Sequence, residues 1–159
     1  MLYLWLKLIH IISSTILFGT GIGTACNMFL AHQTRDTSII ATTARYVVFA
    51  DWIFTSTSGI IQPITGFWMI YLAGYSLKLF WIWGAIVGYF IAAMCWLPVV
   101  YLQIKIRDFA VKSLQDKTAL PPLYFRYFRY WFCLGWPAFI SLIIVFYLMI
   151  FKPTNITNM

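Results

Sequence analysis

At 159 residues, with 62% hydrophobic, 20% aromatic and only 9% charged side chains, the chain is too apolar for a water-soluble domain, in which about 25% of residues are charged. A mean hydropathy of +0.84 agrees, so one integral membrane domain over 1–159 is expected. The net charge of +7 does not point to nucleic acid. The basic residues are scattered at the ends of apolar segments, where lipid headgroups and topology account for them.

Four apolar segments follow one another, at about 2–31, 47–73, 79–102 and 131–151. Each reaches the ~20 residues needed to cross a bilayer. Backbone groups in lipid have to be satisfied within the protein, so the expected fold is all-α, an antiparallel four-transmembrane-helix bundle. The first segment is too long for a signal-peptide apolar region and has no charged stretch before it, so an uncleaved helix is expected.

Between the segments, residues 33–46 read as a short polar loop and Gly74-Tyr75-Ser76 as a tight turn. Residues 103–130 read as the longest polar region, interrupted by Pro121-Pro122. Beyond the prolines, Tyr124, Tyr127 and Trp131 recur at helical spacing beside Arg126 and Arg129, the composition of an interfacial belt.

Loops 32–46 and 103–130 carry most of the Lys and Arg; the opposite side carries Lys78, Lys152 and, at its margin, Lys7. The excess of basic residues marks the cytoplasmic side. Both termini are therefore expected outside a bacterial inner membrane, with those two loops cytoplasmic.

The first segment carries both histidines. Lys7, His10 and Ser14 follow in steps of three and four, so they share a helical face, and the same face continues through Phe18, Gly21, Ala25 and Met28 to His32. The 22 residues between His10 and His32 amount to roughly 33 Å along a helix, so one copy of the chain cannot use both on one metal.

His10 is the leading candidate site residue. Neutral imidazole is a common metal and haem ligand, and Met69 and Met149 are expected on the same side as possible companions. The competing reading is a histidine that hydrogen-bonds a neighbouring helix. Lys7 either snorkels to the headgroups or partners an anionic group held at His10.

Gly19, Gly21 and Gly23 thin two faces of the first helix, for close packing or for a flat macrocycle or quinone. In the second segment, Gln62-Pro63-Ile64-Thr65-Gly66 places an amide near mid-depth, and Pro63 frees the carbonyl of Gly59. Asp51, at the start of that segment, is expected to pair with Arg45 or Arg126. Cys26, Cys95 and Cys133 lie in apolar runs with no metal or disulfide spacing and read as small hydrophobes. Nothing resembles a phosphate loop, a nucleophile with its base, or a carboxylate pair.

ADWIFTS at 50–56, QPITG at 62–66, CWLPVVYLQI at 95–104 and GWPAF at 135–139 resemble the predicted integral membrane family called domain of unknown function 2269. That resemblance implies a four-helix membrane protein and brings no established activity. The first helix, with Leu4-Trp5, Lys7, His10-Ile11-Ile12, Phe18, Gly21, Phe29 and His32, is also similar to the opening of HemJ-type protoporphyrinogen oxidases and their CopD-like relatives. In the HemJ-type family a histidine at the position of His10 is implicated in haem binding. The lysine of that family's third helix has no match here, since Lys105 lies at the helix end.

The resemblance therefore implies haem binding rather than porphyrinogen oxidation. The expectation is a haem b protein, redox-active in the membrane, with His10 as the metal ligand and Lys7, Ser14, Gly21 and Gln62 around the cofactor. The alternatives are a structural or assembly subunit of a membrane complex or homo-oligomer, and a small-solute or copper transporter.

Overall fold

A computed structural model describes residues 1–153; the last six residues of the expected 1–159 domain lie outside the described residues. Helix α1 runs Leu2–Thr34, α2 Thr37–Ala50, α3 Ser56–Ala73, α4 Phe80–Gln115 and α5 Pro122–Phe151. A single π-helical turn, Asp51–Thr55, joins α2 to α3 without a break. No strand forms among the described residues.

Helices α1, α4 and α5 are long and apolar enough to cross a membrane. The α3 segment has 18 residues and carries Ser56, Ser58, Gln62, Pro63 and Thr65 in its first ten. The expected set of four equivalent spans is therefore three candidate spans and a shorter, more polar helix.

The two segments read as loops are mostly helical. Asp36 caps α2, its carboxylate accepting from the amides of Ser38 at 2.7 Å and Ile39 at 3.2 Å, while Arg35 turns the chain in a left-handed conformation. A capped amphipathic start is enough to begin a helix at Thr37. Helix α4 continues to Gln115, and Pro122 occupies the first turn of α5, where its missing N–H costs nothing. Only 116–121 separates those two helices.

Every pair of neighbours is antiparallel. Along α1 and α3, His10 meets Thr65 and Thr24 meets Asp51. Along α4 and α5, Ser141 donates to the carbonyl of Gly88 at 2.6 Å. The start of α1 and the end of α5 thus lie at the end where α3 turns into α4, and Lys152 sits over the rings of Tyr75 and Trp81 there.

The opposite end, called the loop end below, holds the larger apolar core. Met28, Ala31, Ile40, Ala44, Val47, Ile106, Tyr124 and Trp131 are among its buried members. Tyr124 and Trp131 are therefore core rather than an interfacial belt; only Tyr127 is half-buried beside them. His32, half-buried, packs against this core, stacked on Phe128 with ring centroids 3.7 Å apart and with its Nδ1 3.1 Å from the Tyr124 hydroxyl.

Candidate functional site

Helix α1 buries very little of itself. Its buried residues are Leu6, Ser13, Met28 and Ala31, and two of its polar side chains, His10 and Thr24, reach across to the α3 rod. Two polar clusters result, one at each level of the α1–α3 interface.

The first cluster is built on His10. Its Nδ1 lies 2.7 Å from Thr65 Oγ1. That hydroxyl also lies 2.7 Å from the Ile61 carbonyl and 3.2 Å from that of Gln62. Carbonyls only accept, so the single Thr65 proton goes to α3's own backbone, and the proton between Thr65 and His10 has to come from Nδ1. The network thereby assigns the Nδ1–H tautomer and leaves the lone pair on Nε2.

The Gln62 amide reinforces this arrangement. Its Nε2 donates to the His10 carbonyl at 2.7 Å and to Ser13 Oγ at 2.5 Å. Gly66 lies under the imidazole, where a Cβ would come 3.4 Å from His10 Cε1. The carbonyl of Gly59, released by Pro63, accepts the Tyr89 hydroxyl from α4.

Of the residues expected around the cofactor, the structure brings together His10 and Gln62. Lys7 is exposed. Ser14 turns back to the Ile11 carbonyl at 2.8 Å; its neighbour Ser13 is the hydroxyl that joins the cluster. Gly21 has nothing within 4 Å of where its Cβ would stand, and 11 residues of helix put it roughly 16 Å from His10. Thr65, absent from the expected set, was legible only as part of the QPITG group.

The second cluster surrounds Asp51. Its Oδ1 accepts from Thr55 at 2.9 Å and its Oδ2 from Gln103 at 2.7 Å; Thr24 Oγ1 lies 3.5 Å from Oδ1, sharing with it a proton that goes mainly to the Thr20 carbonyl at 2.8 Å. The expected basic partner is missing: neither Arg45 nor Arg126 forms an ion pair with it, and the one salt bridge among the described residues joins Arg107 to Asp108. The carboxylate is buried and held by neutral donors from three helices. Asp51 and Thr55 open and close the π-turn, and both are buried. Such turns recur at functional positions in helices.

On the loop-end side of Asp51 a narrow crevice is lined by Met28, Ala44, Val47, Gln103, Ile106 and Trp131. Two of these carry buried polar atoms with no partner, the acceptor Gln103 Oε1 and the donor Trp131 Nε1. Among the described residues no three His, Cys, Asp or Glu side chains meet as a metal centre.

The model of one family matches residues 4–153. The chain belongs to the predicted integral membrane proteins of DUF2269. Comparison with curated proteins and with solved structures found no match. Membership establishes an integral membrane protein and leaves its chemistry to be argued from the two clusters.

Proposed function

We propose that this DUF2269 protein holds haem b through His10 Nε2 and takes part in electron transfer in the membrane. The observation that carries this reading is the 2.7 Å bond from Nδ1 to Thr65. A ligating histidine usually donates its other ring N–H to a fixed acceptor, which sets the tautomer and the ring's orientation, and Thr65 plays that part here. Gln62 steadies the backbone of the same residue, and Gly66 leaves room for the ring. Bound haem supplies one-electron chemistry at a potential set by its axial ligands; the chain supplies placement and an apolar surrounding. Lys7 lies about one helical turn from His10 and is the one cation of α1 able to meet an anionic substituent of the cofactor from the membrane surface.

The test is an absorption spectrum of detergent-purified protein, reduced minus oxidised, with haem supplied during expression. Wild type should give Soret and α bands, His10→Ala should lose both, and Thr65→Val should bind haem at lower occupancy. A flat wild-type spectrum from folded protein overturns the reading.

A second reading has its own support. Gly19, Gly21 and Gly23 face open space, as a helix face does when another helix is to pack on it; this favours a subunit of a homo-oligomer or of a larger membrane complex. For either reading we infer that α3 crosses the bilayer with α1, since the two lie side by side from the His10 level to the Thr24 level. We also place the loop end, with most of the Lys and Arg, on the cytoplasmic side of a bacterial inner membrane.

A further inference from the structure

The exposed Trp and Tyr side chains of α4 and α5 mark two levels along the helices. On α4 they are Trp83 and Tyr101; on α5 they are Tyr130 and Tyr147, with Trp136 between. Trp83 and Tyr101 are 18 residues apart, roughly 27 Å of helix, and Tyr130 and Tyr147 are 17 apart, roughly 26 Å. Both spacings come close to the hydrocarbon layer of about 30 Å, at whose two surfaces Trp and Tyr collect. Tyr101 and Tyr130 then both stand at its loop-end surface, because antiparallel packing sets the later part of α4 beside the start of α5.

A cation is held at each of these two rings. Lys105 Nζ lies 5.6 Å from the centre of the Tyr101 ring. The Arg126 guanidinium lies 5.7 Å from the centre of the Tyr130 ring, and its Nε is 3.4 Å from the Tyr130 hydroxyl. Each cation starts about one helical turn farther from the apolar layer than its ring and bends back toward it. Phe109 meets Tyr127 between the two helices, ring centroids 5.7 Å apart. Lys105 precedes Phe109 by one turn on the same row of α4, and Arg126 adjoins Tyr127, so the two cations border one stretch of the α4–α5 contact from its two sides. Tyr124, Phe128 and Trp131 are buried in the core while Arg126 and Tyr130 are exposed, which leaves the α5 member on the lipid side.

No carboxylate neutralises either cation. Asp108, the acid nearest to Lys105 along α4, is held by Arg107 at 2.7 Å. Topology asks only that positive charge be plentiful in these loops. It does not ask that two unpaired cations lie against interfacial rings at one level, one on each of two packed helices. We propose that Lys105 and Arg126 hold the phosphate of an anionic phospholipid of the phosphatidylglycerol class, whose acyl chains run along the lipid side of α4 and α5. The guanidinium fork suits two phosphate oxygens and the ammonium adds a point charge. Basic sites between membrane helices take such headgroups. A phosphatidylcholine headgroup offers the same phosphate but brings its own quaternary ammonium, which these side chains repel.

The test is native mass spectrometry of the full-length protein, released from detergent micelles that contain equal amounts of phosphatidylglycerol and phosphatidylcholine with the same acyl chains. The first lipid retained by wild type should be phosphatidylglycerol, in several-fold excess over phosphatidylcholine. A cation close to an anionic lipid is worth about fivefold in affinity, so Lys105→Gln and Arg126→Gln should each lose about that much of the preference. The double variant should lose nearly all of it. Lys105→Arg, which keeps the charge, should retain the preference, and Lys78→Gln, at the opposite end, should match wild type. Equal retention of the two lipids by wild type, or a preference undiminished in the double variant, overturns the proposal. So does equally strong binding of glycerol 1-phosphate without acyl chains, which would make this a site for soluble phosphates. The site lies on α4 and α5, apart from both polar clusters, and its lipid is expected with or without a haem band, so the two readings fail separately.

Discussion

Helices α4 and α5 and helices α1 and α3 solve the same problem by opposite means. Between α4 and α5 the backbones come close because Gly84 and Gly88 have no side chains: a Cβ at Gly88 would stand 2.8 Å from Val145 Cγ2, and one at Gly84 2.9 Å from Leu148 Cδ1. Glycines four residues apart allow this approach in a membrane, where packing rather than hydrophobicity drives helix association. Between α1 and α3 the glycines of α1 are unused, and the pair is held by His10–Thr65, Gln62–Ser13 and Thr24–Asp51. Polar bonds at membrane depth give modest energy per bond and carry chemistry that a glycine seam cannot. The α4–α5 pair is the scaffold, and the α1–α3 pair is where a reaction can be placed.

The largest effect that separates the two interfaces should come from Gly88→Leu. The added side chain has to displace Val145 and the Ser141 backbone, an overpacking that costs about 3 kcal/mol. Thermal unfolding in detergent should show a marked loss, partly restored by Val145→Ala in the same chain. Gly84→Ala should cost less, because the obstructing Leu148 Cδ1 is the end of a flexible side chain. On the other interface, Gln62→Leu removes donations to His10 O and Ser13 Oγ. Membrane interhelical bonds are each worth about 1 kcal/mol, so a loss of about 2 kcal/mol is expected in the same assay. A Gln62→Leu effect as large as that of Gly88→Leu would erase the distinction.

How much of this could be read in the sequence follows from what each signal measures. Hydropathy located the apolar cores of the long helices, because membrane depth is a matter of composition. It missed their ends: 37–46 and 103–115 are helical yet polar, lying where helices outrun the apolar layer. The cap was nonetheless in plain view, since Asp36 followed by Thr-Ser-Ile-Ile-Ala is a helix start. The freed Gly59 carbonyl was legible because proline chemistry is local. The partner, Tyr89, was not, being 30 residues away. Stepping along one face of α1 selected Ser14 over Ser13 and retained Gly21, because an isolated helix has no marker for which face meets its neighbour. Asp51 stood out by rarity alone. Its neutral partners Thr24, Thr55 and Gln103 belong to three different helices, and charge matching pointed instead to arginines.

The smallest expected effect is also the sharpest test of where this chain's own packing stops. A Cβ on Gly21 meets nothing within 4 Å, so Gly21→Leu should leave the unfolding temperature of the isolated protomer nearly unchanged and gain a little helix propensity, about 1 kcal/mol at most. Should the α1 face serve as a docking surface for another helix, the same substitution would act on assembly alone. Size-exclusion chromatography with light scattering would then show a smaller particle for Gly21→Leu than for wild type, with both forms fully folded. Equal particle sizes would mean that lipid covers this face, and that α1 is held by its contacts within this chain alone.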